Sequence, residues 1–213
     1  MTVANKLTLL RLALVPGFMV FMVFDHFWTR VAALIIFIIA GITDWYDGKI
    51  ARRTGTVTVI GTFLDPLVDK MLIAAALVGF VEMAELHIRA WMVVLIISRE
   101  FLITGLRSLA ASRGITLAAE GAGKFKMASQ ITAIITIMVI LIVNSMFEKW
   151  PRLIPAPVDG WPTWLMRGLE QAPFWLVFAT TILTIVSGYL YIAKYSGLLK
   201  EEFSVLKMPR RSR

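Results

Sequence analysis

The stretch ITDWYDGKIARRTGTVTVIGTFLDPLVDK occupies residues 42–70 and carries four aspartates, Asp44, Asp47, Asp65 and Asp69. They stand in a chain of 213 residues that is 58% hydrophobic and only 17% charged, with a mean hydropathy of +0.77. Because an ordinary soluble domain has about 25% charged residues, this composition favours a protein whose main solvent is lipid. Four carboxylates within one short stretch of so apolar a chain need a chemical reason.

The rest of the chain contains six apolar segments, each near the length of about 20 residues that crosses a membrane. Backbone in lipid must satisfy its own hydrogen bonds, so we expect every segment to be a helix. The predicted fold is an all-α integral membrane protein, a single domain over residues 1–213, with six transmembrane helices and an N-terminal interfacial segment. The predicted spans are 8–26, 31–52, 61–83, 90–112, 124–146 and 174–196.

An even number of spans places both termini on one side of the membrane. All but five of the 22 lysines and arginines are assigned to that side, so the positive-inside rule predicts that it is cytoplasmic. The five exceptions are Arg30, Arg89, Lys149, Arg152 and Arg167. The long segment 147–173, rich in proline and tryptophan, is expected to be an irregular or interfacial cap on the opposite side.

The charge and the absence of cysteine narrow the function classes. The net charge of +8 comes from basic residues that flank the apolar segments, which favours anionic lipid headgroups or phosphate-bearing substrates over nucleic acid. With no cysteine, the chain has neither disulfides nor thiolate metal ligands.

The first pair of aspartates belongs to a set of residues at helical spacings of three and four: Asp44, Asp47, Gly48, Ala51 and Arg52. A helix presents these positions on one face. Gly48 and Ala51 remove side-chain bulk there, so a ligand or another helix can approach closely. Arg52 adds a guanidinium group suited to phosphate oxygens.

The second pair follows the same logic on the next segment. Gly61, Asp65 and Asp69 lie four residues apart, and the short turn 53–60 joins the two segments as an antiparallel pair. We therefore expect the four carboxylates to converge near the cytoplasmic ends of neighbouring helices. Clustered carboxylates repel one another unless cations neutralise them, and their hard oxygens suit Mg²⁺, Mn²⁺ or Ca²⁺.

Two alternatives compete with a metal site. The aspartates can be solvated helix ends, although four aligned on two faces make this a weak explanation. A divalent-cation transporter also needs carboxylates inside the membrane, but it predicts acidic residues distributed through the depth of the bundle. The clustering at one end instead favours a metal-assisted reaction on a phosphate or diphosphate ester at the lipid surface.

The full pattern, D-x2-D-G-x2-A-R-x8-G-x3-D-x3-D over residues 44–69, resembles the signature of the CDP-alcohol phosphatidyltransferase family at all eight fixed positions. The resemblance implies six membrane helices, usually in a homodimer, with the site open to the cytoplasm of a bacterial-type inner membrane. It implies transfer of a phosphatidyl or similar group from a CDP-linked donor to an alcohol, with release of CMP.

The resemblance also implies roles for single residues. Asp44, Asp47 and Asp65 would be ligands of two divalent ions, Mg²⁺ or Mn²⁺, and Asp69 would be both a shared ligand and the general base. The remaining matches would bind the CDP moiety and its diphosphate or allow close helix approach: Gly48, Ala51, Arg52 and Gly61, and, in the early segment NKLTLLR, Asn5, Thr8 and Arg11. For Arg11 the alternative is an anchor at the cytoplasmic interface.

A second group of charges, in SREFLITGLR and GKFKM, predicts where the acceptor binds. Arg99, Arg107, Lys124 and Lys126 are candidates for a pocket that holds a phosphate on the acceptor. Glu100 stands seven residues before Arg107, so the two can pair on one helix face and support that pocket. The alternative is a buried ion pair for Arg99 and Glu100, with the two lysines as interface anchors.

These segments most resemble family members that transfer the phosphatidyl group of CDP-diacylglycerol to sn-glycerol 3-phosphate, the phosphatidylglycerophosphate synthases. Other acceptors used within the family, inositol phosphate, serine and phosphatidylglycerol, stay open at this point. Serine carries no phosphate and would give little reason for the additional arginines and lysines.

Overall fold

The computed structural model describes the backbone of residues 3–54, 59–112, 121–149 and 163–206. It describes the side chains of residues 9–43, 67–68, 70–111, 123, 125–147, 149, 167–168 and 170–196. The elements in chain order are α1 (Val3–Val23), α2 (Phe27–Thr54), α3 (Val59–Glu82), a 3₁₀ helix (Ala84–Leu86), α4 (Ala90–Ser112), α5 (Gly121–Lys149) and α6 (Thr163–Leu206). These ranges contain six α-helices and no strand, which confirms the all-α prediction.

Two boundaries differ from the prediction. α6 has 44 residues and contains Pro173, so the part of the 147–173 segment from Thr163 onward is helical rather than irregular. Residues 150–162 lie outside the described part of the chain. At the other terminus, α1 begins at Val3, so the segment expected to lie at the interface is continuous with the first helix.

The described helices include two stretches long and apolar enough to cross a membrane, Phe125–Phe147 and Glu170–Ser196. Leu9–Val23 and Phe27–Thr43 are shorter apolar helices. The other predicted spans and the side on which each terminus lies stay predictions.

The outward faces of the helices carry large apolar side chains, as a lipid-facing surface requires. Examples from four helices are Val20, Ile38, Val94 and Ile185, each at least 40% exposed. The interior is also apolar, with Phe18, Ala76, Phe80, Ile96 and Ile134 fully buried in one core. All six α-helices have apolar residues both in the core and on the outer surface.

Contacts along the helices establish their directions. Arg30, early in α2, contacts Ser145, late in α5, whereas Gly41 and Met127 line one cavity at the other end of the same pair. α2 and α5 are thus antiparallel. α4 and α6 are parallel, since Trp91 contacts Phe178 and, further along both helices, Arg107 contacts Tyr191.

These directions define two ends of the bundle. We call the end next to the aspartate-bearing segments the motif end. Gly41, Val68 and Lys70 lie there beside those segments, and Arg107 of α4 lies on the same side of the bundle. The opposite end is centred on Arg30, near the turn between α1 and α2 and the 3₁₀ helix.

Candidate functional site

The four motif aspartates lie on helices, as their spacing predicts. Asp44 and Asp47 belong to α2, and Asp65 and Asp69 belong to α3. Their side chains are outside those that the structure describes, together with the side chains of Asn5, Thr8, Gly48, Ala51, Arg52, Gly61 and Lys124. The roles assigned to these residues stay predictions.

Described side chains beside the aspartates enclose a small cavity of about 90 Å³. Gly41 lines it from α2, just before Asp44, and Val68 lines it from α3, just before Asp69. α1, α2, α3 and α5 all contribute walls, so the two aspartate-bearing helices border a common space. Arg11 of α1 completes this lining.

Arg11 is buried, with only 5% of its surface exposed. An interface anchor keeps its charged group among the lipid headgroups, so burial between four helices argues against that alternative. The position of Arg11 on the wall shared by α2 and α3 agrees with a role inside the site.

Two of the predicted acceptor residues, Arg99 and Lys126, contact Glu100 on α4. Glu100 Oε2 accepts a hydrogen bond from Lys70 Nζ at 3.2 Å, and Oε1 accepts one from Arg99 Nη1 at 3.2 Å. Lys126 of α5 donates to the same Oε1. One carboxylate therefore joins cations from α3, α4 and α5, in a group that we call the Glu100 cluster: Lys70, Arg99, Glu100 and Lys126.

The Glu100 cluster is largely removed from water and carries an excess of positive charge. Glu100 is 13% exposed and Lys126 only 4%. Among the described side chains, three cations face one carboxylate, and charge held in a low-dielectric interior is costly unless it is paired. Such a cluster is therefore suited to bind an anion with two negative charges.

The expected pair between Glu100 and Arg107 is wrong. Among the described residues, Glu100 bonds the three cations named above, while the guanidinium of Arg107 lies over the ring of Tyr191, 5.8 Å from its centroid. Residues seven apart on a helix are separated by about 10.5 Å along its axis. Bridging this distance would require both side chains to extend along the axis, whereas the cations on neighbouring helices already contact Glu100.

Sequence reasoning missed three residues that contact the charged side chains of the site. Lys70 follows Asp69 directly, and its position beside a motif residue was the available signal. Ser187 and Tyr191 contact Arg99 and Arg107 from α6. Their signal is weaker: polar side chains spaced four apart on one face of an otherwise apolar helix.

Within the described side chains, no group of three or more histidines, aspartates or glutamates is placed to hold a metal ion. The four motif aspartates, which supply the hard oxygen donors that Mg²⁺ and Mn²⁺ prefer, are not among those side chains. The donor chemistry of the motif fits a divalent ion.

The sequence is similar to known enzymes over nearly its whole length. The sequence profile of the CDP-alcohol phosphatidyltransferase family matches residues 1–183. A Bacillus subtilis protein named CDP-diacylglycerol–glycerol-3-phosphate 3-phosphatidyltransferase is 38% identical over 208 residues, which cover 92% of this chain and 96% of the relative. A Salmonella typhimurium protein of the same name is 38% identical over 207 residues, covering 94% and 98%.

A third relative, from Mycobacterium tuberculosis, is named as a probable phosphatidylglycerophosphate synthase. It is 36% identical over 194 residues, which cover 90% of this chain and 80% of the relative. The matches extend well beyond the aspartate motif, through the Glu100 cluster and into α6. A motif complete at every fixed position, a six-helix fold and similarity over nearly the whole length therefore place the chain in the CDP-alcohol phosphatidyltransferase family.

Proposed function

We propose that this protein transfers the phosphatidyl group of CDP-diacylglycerol to sn-glycerol 3-phosphate, giving phosphatidylglycerophosphate and CMP. The observation that carries the proposal is the Glu100 cluster, in which three largely buried cations face a single carboxylate. The phosphate of glycerol 3-phosphate would bring negative charge to these cations. The names of the relatives support the same acceptor.

The donor is assigned to the aspartate motif. Asp44, Asp47, Asp65 and Asp69 would hold two divalent ions, Mg²⁺ or Mn²⁺, and Arg52 would bind the donor diphosphate. When bound, the ions neutralise the diphosphate charge and increase the electrophilicity of the phosphorus. Arg11, which is buried beside the cavity between α2 and α3, is placed to contribute positive charge to the nucleotide side of the site.

The chain's own residues then position the acceptor. Arg99, Arg107, Lys124 and Lys126 would bind its phosphate, leaving the terminal hydroxyl at Asp69. Asp69 takes the proton from this hydroxyl while the hydroxyl oxygen forms a bond to the phosphatidyl phosphorus. The bond between that phosphorus and the bridging oxygen breaks, and CMP leaves with the oxygen. Positioning and charge neutralisation supply most of the rate enhancement in such transfers.

Lys70 connects the aspartate motif, proposed to bind the donor, with the Glu100 cluster, proposed to bind the acceptor. It follows Asp69 on α3 and is ion-paired to Glu100 on α4, 3.2 Å away. An acceptor held by the cations of the Glu100 cluster would therefore lie near the residue proposed as base. This proximity favours an acceptor that carries both a phosphate and a nearby hydroxyl group.

We further propose that the protein acts as a homodimer in a bacterial inner membrane, with the site facing the cytoplasm. The excess of basic residues on the side assigned to the motif end supports this orientation. The broad apolar outer faces of the helices provide surface for both lipid and a second subunit.

The proposal is tested with purified protein in mixed micelles that contain CDP-diacylglycerol. CMP release is measured with glycerol 3-phosphate, inositol phosphate, serine or phosphatidylglycerol, each with Mg²⁺, with Mn²⁺ and after chelation. We expect metal-dependent release that is fastest with glycerol 3-phosphate. Equal or faster release with another acceptor contradicts the acceptor, and absence of release with every acceptor contradicts the transferase itself.

A further inference from the structure

One face of α6 contacts the two arginines of α4. Ser187 Oγ lies 3.1 Å from Arg99 Nη2 and 3.1 Å from the carbonyl oxygen of Thr184. The hydroxyl donates its proton to the carbonyl and accepts the hydrogen bond of the guanidinium. Arg99 is thus held on two sides, through Nη1 by Glu100 and through Nη2 by Ser187.

The residue after Ser187 determines how closely α6 can approach Arg99. A Cβ placed on Gly188 would lie 3.0 Å from Arg99 Cγ and 3.3 Å from its Nε. A contact of 3.0 Å is tighter than most real Cβ contacts, so a side chain at this position would require Arg99 to shift by a few tenths of an ångström, and glycine avoids that shift. Ser187 thus holds the guanidinium of Arg99 by a hydrogen bond, and Gly188 leaves room for the stem of the same side chain.

Arg107 is held by a different interaction on the same face. Its guanidinium lies 5.8 Å from the centroid of the Tyr191 ring, within the range of a cation–π contact. Tyr191 is only 4% exposed and the centroids of its ring and the Tyr195 ring are 4.8 Å apart, so its position is fixed by the bundle. Arg107 itself is exposed, which leaves its charge available to a ligand.

We propose that Ser187 and Tyr191 are positioning residues, through which α6 orients the guanidinium groups of Arg99 and Arg107 to bind the acceptor phosphate. The proposal rests on the proposed function, because it takes these arginines as acceptor ligands. A guanidinium fixed before binding loses less conformational freedom when the phosphate arrives, so pre-orientation increases affinity for the acceptor. α6 lies outside the aspartate motif and would act on acceptor affinity alone.

The first test replaces Ser187 and measures the steady-state kinetics of CMP release. Ser187→Ala is expected to raise KM for glycerol 3-phosphate by about three- to tenfold, the effect of one hydrogen bond. KM for CDP-diacylglycerol and kcat should stay within about twofold. Ser187→Thr keeps the hydroxyl and is expected to restore most of the lost affinity.

Ser196→Ala is the matched control for Ser187→Ala. Ser196 is on the same helix and donates to the carbonyl oxygen of Ala193 at 2.8 Å, as Ser187 does to Thr184, but its hydroxyl contacts no arginine of the described chain. This variant should have wild-type kinetics. A general weakening of α6 would affect both variants alike, and it would change donor kinetics and thermal stability as well.

The second test separates the ring of Tyr191 from its hydroxyl. The hydroxyl has no hydrogen-bond partner among the described residues, so Tyr191→Phe should leave the acceptor KM unchanged. Tyr191→Leu removes the aromatic face and should raise this KM by about three- to tenfold. Equal behaviour of the two variants would overturn the role of Tyr191.

Failure of this inference can be told apart from failure of the proposed function. If Arg99→Ala and Arg107→Ala raise the acceptor KM while Ser187→Ala does not, the arginines bind the acceptor but α6 does not position them. If neither arginine variant changes the acceptor KM, the proposed acceptor site itself is wrong. An effect of Ser187→Ala on donor KM alone would also overturn the positioning role.

Discussion

Lys70 Nζ on α3 donates a hydrogen bond to Glu100 Oε2 on α4 over 3.2 Å. Because Lys70 follows Asp69, this single contact joins the helix with two motif aspartates to the helix with two arginines of the proposed acceptor site. Glu100 also bonds Arg99 and Lys126. The carboxylate is thus the common partner of cations that would otherwise repel one another.

Replacing Glu100 by glutamine should destabilise the protein. Glu100→Gln preserves the shape of the side chain but removes from three largely buried cations the carboxylate that they share. Loss of one partner from a buried ion pair costs about 3–5 kcal/mol. We expect a clear drop in the thermal unfolding temperature in detergent, and a raised KM for glycerol 3-phosphate in the protein that remains folded.

Glu82→Gln provides the matched control, because Glu82 is exposed and makes no ion pair within the described residues. Its unfolding temperature should stay close to that of the wild type. If Glu100→Gln is as stable as Glu82→Gln, the ion pairs around Glu100 contribute no net stability.

Replacing Arg107 by alanine should weaken acceptor binding with little effect on the donor. Arg107 is exposed over Tyr191, so its removal creates no buried vacancy in the bundle. A charge-assisted hydrogen bond contributes about 1.5–3 kcal/mol, which corresponds to a rise in KM for glycerol 3-phosphate of roughly ten- to a hundredfold. Initial rates of CMP release at varied acceptor concentration measure this change.

The exposed Arg167 offers a control arginine near the start of α6, where Arg167→Ala should leave both Michaelis constants unchanged. A rise in donor KM alone for Arg107→Ala would assign this arginine to the nucleotide instead of the acceptor.

Asp69→Asn should nearly abolish turnover while leaving the protein folded. The amide cannot accept the proton of the acceptor hydroxyl, and loss of a general base costs about 10²–10⁴-fold in rate. Loss of a metal ligand adds to this effect. We expect kcat to fall by at least about a hundredfold at saturating substrates, with an unchanged unfolding temperature.

Asp25→Asn, a change of the same chemistry at the opposite end of the bundle, should retain wild-type kcat. Substantial turnover by folded Asp69→Asn would remove Asp69 from the role of base.

The parts of the site predicted from sequence were those whose signal lies within one helix. Asp44 and Asp47, three residues apart, and Asp65 and Asp69, four apart, are on helices because a 3.6-residue period is a local property of the chain. Arg99 and Lys126 were recognised as unusual because charge is costly within apolar segments.

The parts that were missed depend on neighbouring helices. A spacing of seven residues made Glu100 and Arg107 look like a pair, but Lys126 and Lys70 lie closer in space. The sequence does not distinguish Ser187 from other serines in apolar helices, and its contact with Arg99 depends on how α4 and α6 pack. The early start of α6 was missed because proline and tryptophan resemble an irregular cap.

Arg30 should stabilise the end of the bundle opposite the motif without affecting catalysis. It is only 5% exposed, and its Nη1 donates to the Leu141 carbonyl oxygen at 2.8 Å and to Ser145 Oγ at 2.5 Å. Nη2 donates to Glu85 Oε1 at 2.9 Å and pairs with Asp25. One side chain therefore ties α2 to α5, to the 3₁₀ helix and to the turn after α1.

Arg30→Lys tests whether both terminal nitrogens of the guanidinium, Nη1 and Nη2, are needed for stability. A lysine has one nitrogen and cannot serve both sets of partners, so about 1.5–3 kcal/mol of stability should be lost with the hydrogen bonds to the charged group. Thermal unfolding in detergent measures the loss, and the acceptor and donor KM values should stay those of the wild type. An unchanged unfolding temperature would show that the two sets of hydrogen bonds of the guanidinium are not needed for stability. A shifted acceptor KM would instead show that the two ends of the bundle are coupled.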